Sequence, residues 1–272
     1  MRGSSRAAAV EVAETLDGRL AGADASSSAR LAEELFAVTA LLDDNATLRR
    51  AVADPSREGS AKADLVRRLV GGKIGEPALE VVTSAAAQRW AQARDLTDTL
   101  ERLGVESLLA SAESEGRIDA VEDELFRFER IVAGTPELRD ALTDRRADRD
   151  AQAGLVEQLL QGKAAPETVR LARQSMLAPR GRRIDRTLES YLAVAARRRE
   201  QVTAVVTTAV DLTEEQRSRL AGALQRIYGK PVLLQMVLEP DVIGGIRVQV
   251  GDEVVDGTVL RRLDEAKRHL AG

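Results

Sequence analysis

Glu34-Leu35-Phe36 returns 90 residues later as Glu124-Leu125-Phe126, and the two stretches stay in register downstream. Leu48, Arg49, Ala51 and Asp54 recur as Leu138, Arg139, Ala141 and Asp144. Leu65, Val66, Leu69, Gly72 and Lys73 recur as Leu155, Val156, Leu159, Gly162 and Lys163. About a third of positions match between residues 33–73 and 123–163, before a small length change brings Thr99-Leu100-Glu101 onto Thr187-Leu188-Glu189. Matches that include Phe, Asp and Gly-Lys in one register are poorly explained by the chance likeness of Ala- and Leu-rich helices. The pattern reads as an internal duplication.

Periodicity assigns helices to both copies. Leu31, Leu35, Val38 and Leu42 fall at i, i+4, i+7 and i+11, and Val121, Leu125, Phe128 and Val132 repeat that stripe. Asp54-Pro55 ends a short helix in the first copy, and Asp144-Arg145-Arg146 does so in the second without proline. Leu79, Val82 and Ala86 correspond to Val169, Ala172 and Met176, again at helical spacing. Each copy thus predicts a bundle of five or six short helices, with a boundary near residues 100–110 where one long helix closes the first bundle and opens the second. The expected domains are a helical bundle over 1–104, a second over 105–200, and a different module over 201–272.

After residue 200 the helical period gives way to β-branched runs. Val202 to Val210 predicts a strand buried on both faces. Thr213 with Gln216 forms a capping box that opens a helix carrying Leu220, Leu224 and Ile227. Gly229-Lys230-Pro231 ends it, a second strand runs through Leu234, Met236 and Leu238, and a third puts Ile246, Val248 and Val250 on one face with Arg247 and Gln249 on the other. Gly251-Asp252 makes a turn, and Val259, Leu263, Ala266 and Leu270 stripe a last helix. The fold class is mostly α with a C-terminal α+β module: two tandem helical bundles, then a small β-α-β-β-α domain.

Composition narrows the function. The 272 residues carry a net charge of −4 with both signs interspersed, aromatics make up 2%, and there is no cysteine. That removes thiolate metal sites and cysteine nucleophiles, and it leaves single-strand nucleic-acid binding without stacking platforms. No apolar run is long enough for a membrane span, so any membrane association is peripheral. His269 is the one histidine; a last helical turn accounts for it, and no second histidine or cysteine exists to complete a metal site. Gly71-Gly72-Lys73 and Gly229-Lys230-Pro231 lack the P-loop context and read as turns, while Gly244-Gly245 reads as a bulge or close approach inside a strand. The runs Arg180-Gly181-Arg182-Arg183 and Arg197-Arg198-Arg199 read as a solvated helical face or a basic patch for an acidic protein partner, and Trp90 reads as a core wedge. No catalytic residue, cofactor site or metal site is assigned.

One stretch carries a more specific likeness. Ile243-Gly244-Gly245, then alternating residues to Gly251-Asp252, then Asp256-Gly257-Thr258, resembles the signature of the F-type ATP synthase delta family, whose mitochondrial relative is the oligomycin-sensitivity-conferring protein. Val105-Glu-Ser-Leu-Leu, the Glu115-Gly116-Arg117 break, Glu124-Leu125 and Pro136-Glu-Leu-Arg-Asp-Ala-Leu follow the order of that family's N-terminal domain. The resemblance covers residues 105–272, and the extra bundle before it looks like an actinobacterial lengthening. It implies a non-enzymatic peripheral-stalk subunit on the cytoplasmic face of the bacterial plasma membrane, attached to the membrane only through its complex. Its implied partners are the alpha subunit N-terminal helices on the catalytic head and the C-terminal end of the b subunit; it implies no nucleic acid and no cofactor. Helix-in-groove recognition suits the task, and the face carrying Leu108, Leu109, Val169 and Met176 is the candidate groove, with core packing as the competing reading. An unrelated helical-repeat adaptor and an RNA-binding protein are the alternatives.

Overall fold

The computed structural model describes residues 3–144, 146–180, 182–200, 202–228, 231–239, 245–250 and 253–256. They form twelve helices and a four-stranded sheet. By packing, the described residues before 17 and from 24 to 198 make one unit, and those from 17 to 23 and from 199 onward make another.

The first unit is helical. It holds α1 (Gly3–Leu20) as far as residue 16, α2 (Ala25–Asp44), α3 (Ala46–Val52), α4 (Gly59–Val70), α5 (Glu76–Ala87), α6 (Ala93–Ser114), α7 (Ile118–Gly134), α8 (Pro136–Thr143), α9 (Arg149–Leu160), α10 (Pro166–Leu177) and α11 (Ile184–Glu200) as far as residue 198. The predicted stripes face inward: Leu31, Leu35, Val38 and Leu42 are buried on α2, and Val121, Leu125, Phe128 and Val132 on α7. Helix α9 repeats the span of α4, and α10 that of α5, at an offset of 90 residues. Local chemistry recurs at the same offset. Glu34 accepts a hydrogen bond from the Gly75 amide at 3.0 Å, where α5 begins, and Glu124 accepts one from the Ala165 amide at 2.8 Å, where α10 begins. Each carboxylate thus meets the unsatisfied, positive end of a helix. Gly72 and Gly162 both close their helices at φ near +70°, a left-handed conformation that glycine adopts without a Cβ penalty.

Helix α6 runs unbroken across the stretch where the boundary was expected, and α2 packs along it more extensively than any other helix pair does. The contact is close because residue 104 is glycine: a Cβ there would lie 2.6 Å from the Phe36 ring. Ala32 and Phe36 of α2 therefore share one core with Val105, Leu108 and Leu109 of α6 and with Leu171, Ala172 and Met176 of α10. Trp90 is buried as expected, and its indole N–H donates to the Ala85 carbonyl at 2.8 Å.

The second unit contains β1 (Val202–Thr208), α12 (Glu214–Tyr228), β2 (Val232–Leu238), β3 (Ile246–Val250) and β4 (Glu253–Asp256) in the sheet order β2-β1-β3-β4. Strands β1 and β2 are parallel, joined through α12, while β3 pairs antiparallel with both β1 and β4. The capping box forms: Gln216 accepts from the Thr213 amide and donates its own amide to the Thr213 hydroxyl. Ala204, Val206, Leu224 and Val248 make the core. Three expectations are corrected. Strand β1 stops at Thr208 and leaves Val210 exposed, because Thr208 bonds the Val210 carbonyl and turns the chain. A fourth strand, β4, follows the predicted turn; its short Val-Val core gave no clear alternation. Gly245 precedes β3 and is not inside a strand, and its φ of 92° explains the glycine. Gly229-Lys230, Ile243, Gly244, Gly251-Asp252, Gly257, Thr258, the predicted last helix and His269 lie outside the described residues.

A β-branched side chain at residue 245 would be forced into a conformation costing about 1–3 kcal/mol. Gly245→Val is therefore expected to lower the stability of the C-terminal unit by about that amount in denaturant unfolding. An unchanged midpoint would mean that φ 92° is not required there.

Candidate interaction site

At the centre of α6 a carboxylate is buried. Glu101 has a side-chain exposure of 2% and lies among the buried positions of α6. Its charge is met by side chains distant in sequence. The guanidinium of Arg180, 5% exposed, donates to Glu101 at 3.0 Å and to Asp98 at 2.9 Å, and a second nitrogen reaches Asp43 of α2. Arg182 also pairs with Glu101, and the Tyr191 hydroxyl of α11 donates to its other oxygen at 2.9 Å. One network thus joins α2, α6, the α10–α11 connection and α11.

The network constrains its own backbone. Arg180 has φ of 46°, the left-handed region that a residue with a Cβ seldom enters. That conformation costs about 1–2 kcal/mol and is held by the ion contacts it makes possible. Burial opposes the Arg180 charge, but the carboxylates of Glu101, Asp43 and Asp98 outweigh burial and hold the guanidinium above its ordinary range. Burial first, and then the neighbouring Glu101 charge, push the Tyr191 phenol well up, so it remains a donor.

This arrangement corrects the reading of the first basic run. Arg180 and Arg182 are inward ion-pair partners and belong to neither a solvated face nor an outward basic patch; Arg183 alone of the described arginines there is well exposed, beside Asp185. In the second run, Arg198 pairs with Glu113 of α6 at 2.7 Å. A further tie joins the α6–α7 turn to α10, where Arg117 meets the buried Glu167 at 2.6 Å.

The four residues of the candidate groove divide. Leu108, Leu109 and Met176 are core side chains, packed in the same cluster as Ala32 and Phe36 of α2. Val169 is half-buried and lines a crevice of about 360 Å³ beside Glu157, Gln161, Arg170 and Arg173. Of the signature residues, Gly245 leads into β3 and Asp256 ends β4. Among the described residues there is no group of three potential metal ligands, and no helix is long and apolar enough to cross a membrane. The buried network was missed from sequence because its partners are 79 to 137 residues apart. The one trace is Glu101 itself, an acid among the apolar positions Leu96, Leu100, Leu103 and Val105 of α6.

Removing Arg180 takes one of two cations from the buried Glu101, which keeps Arg182 and Tyr191, and the lost charge-assisted hydrogen bonds cost about 1.5–3 kcal/mol. Arg180→Ala should show that loss in equilibrium unfolding, whereas Arg186→Ala, which removes an exposed pair with Glu189, should cost under about 1 kcal/mol. Equal effects would place Arg180 outside any stabilising role. For Tyr191 the folded pKa lies above the unfolded value of about 10, so its contribution is intact below that pH and is lost as pH rises past it. Stability should fall above pH of about 10, with a shallower fall in Tyr191→Phe; identical profiles would remove Tyr191 as the cause.

The comparisons with known proteins agree with the signature. The family model described as ATP synthase delta (OSCP) subunit matches residues 105–270. A protein named ATP synthase subunit delta from Kineococcus radiotolerans is 49% identical, covering 99% of this chain and 98% of its own. Namesakes from Streptomyces avermitilis, at 47% over 99% and 98%, and Nocardia farcinica, at 45% over the whole of both chains, extend the likeness. Residues 1–104 are thus shared with these relatives and are not peculiar to this chain. Similarity of this extent means that the chain belongs to the ATP synthase delta (OSCP) subunit family.

Proposed function

We propose that this chain is a stiff strut between the catalytic head and the membrane-anchored stator, gripping alpha subunit N-terminal helices with its helical unit and the far end of the b subunit with its C-terminal module. As a member of its family it is a non-catalytic, peripheral-stalk subunit of the F-type ATP synthase. Its place in our reading is the cytoplasmic face of the bacterial plasma membrane, with membrane association only through the complex. While the rotor turns, such a strut must hold the head still, so its work is affinity and stiffness.

The buried Glu101 network is the observation that carries the mechanical reading. It ties helices from residues 25–44, 93–114 and 184–200 through charge-assisted bonds that cannot be exchanged for water without exposing the core. The carboxylate partners of Arg180 and Arg182 leave these two guanidinium groups unavailable to the phosphates of an RNA, and the family match accounts for the C-terminal signature that an unrelated adaptor leaves unexplained.

We further infer that the three domains are 1–104, 105–200 and 201–272, the first two being copies of one bundle and the third a small α+β module. The matched spans of α4 with α9 and α5 with α10, and the matched Glu34 and Glu124 contacts, support the duplication. For the alpha subunit helix, Val169 offers the accessible apolar contact beside its crevice, while Leu108, Leu109 and Met176 form the packed floor that fixes α6 against α10.

Purification of the tagged chain from cell membranes should recover alpha, beta and b subunits. Val169→Asp should reduce recovery of alpha about tenfold, the equivalent of about 1.4 kcal/mol, and leave b unchanged. A folded chain that recovers none of the three would contradict the stator reading; unchanged alpha recovery from the variant would contradict the groove alone.

A further inference from the structure

A crevice of about 230 Å³ opens between α6 and α11. Helix α6 contributes Asp98, Glu101 and Arg102 to its lining, α11 contributes Val194 and Arg197, and Arg182 enters from the α10–α11 connection. The carboxylates here are already answered. One Glu101 oxygen accepts from both Arg180 and Arg182, its other oxygen accepts from the Tyr191 hydroxyl, and Asp98 accepts from Arg180. Arg102 is answered in turn by Glu106, at 2.6 Å.

What remains over is donors and positive charge. Arg182 lines the crevice, and its buried Nε–H has no partner among the described residues. Arg180, with a side chain 5% exposed, keeps an unpartnered Nη2 in the same network. Arg197 is exposed on the crevice wall and has no ion pair among the described residues. A buried donor left unmade is costly, and a guanidinium has only donors to offer, so the complementary ligand consists of acceptors and carries negative charge.

We propose that the α6–α11 crevice binds a small tetrahedral oxyanion of the phosphate class, with the Arg182 Nε–H and the Arg197 guanidinium as its donors. Phosphate oxygens match the forked geometry of a guanidinium and accept from it in pairs. Size sets the limit: sites for drug-sized ligands start at about 300 Å³, so this crevice admits a phosphate group but not the base and sugar of a nucleotide. A bound oxyanion links Arg197 of α11 to Arg182 of the connection before it, and occupancy therefore stabilises the Glu101 network.

The probe is inorganic phosphate, titrated into the full chain at constant ionic strength with chloride as the balancing anion. Arginine Nε–H resonances, assigned through their own side chains, report the site. The Arg182 resonance should shift saturably with phosphate, and the denaturant midpoint should rise with it. Arg197→Ala is an exposed change whose fold circular dichroism checks; it should weaken phosphate affinity about tenfold, while Arg186→Ala keeps it within about twofold. ATP competes for the Arg182 resonance if the site takes any terminal phosphate, and leaves it in place if the site takes only the free anion. An Arg182 resonance that phosphate does not move, as for donors met by water alone, overturns the proposal. So does a shift that chloride reproduces, or equal phosphate affinity in Arg197→Ala and Arg186→Ala.

Discussion

A carboxylate buried in the middle of a helix is costly unless its charge is answered, and Glu101 is answered by groups drawn from the far parts of the helical unit. Satisfying it requires the α10–α11 connection to turn inward, Arg180 to enter a left-handed conformation and Tyr191 to give up water. It also brings Asp43, at the end of α2, onto the same guanidinium. The helices on either side of α6 are therefore joined by more than the continuity of α6. Apolar contact supplies area, as with Phe36 on Gly104, while the ion network supplies register: a shift of α2 along α6 would part Asp43 from Arg180.

Those constraints suit a protein whose work is mechanical. A surface ion pair can break and re-form with little cost, but a desolvated one has no aqueous substitute, so the interface opens only at considerable expense.

What could be read from sequence follows from the range of each interaction. The stripes on α2 and α7, the Thr213–Gln216 capping box and the alternation in β3 are local, and all appear where their spacing puts them. The family signature was legible for a different reason, since it is a likeness and not a periodicity. Arg180 and Arg182 defeated local reading because a run of arginines looks the same whether it faces water or a carboxylate contributed 79 residues away. The candidate groove was legible as apolar spacing, but spacing cannot distinguish Val169 from Leu108, Leu109 and Met176, which α2 helps to bury. Phe36 and Phe126 make the same point: equal local sequence, opposite exposure, decided by what packs outside the helix.

The most direct test of a single mechanical unit is native-state hydrogen exchange of the full chain across a denaturant series, comparing α5 in the first copy with α10 in the second. If the Glu101 network joins the copies into one cooperative body, the two helices open in the same step, with free energies within about 1 kcal/mol, and Arg180→Ala lowers both together. Opening of α5 in a separate, lower-energy step that leaves α10 protected and is indifferent to Arg180 would contradict the account.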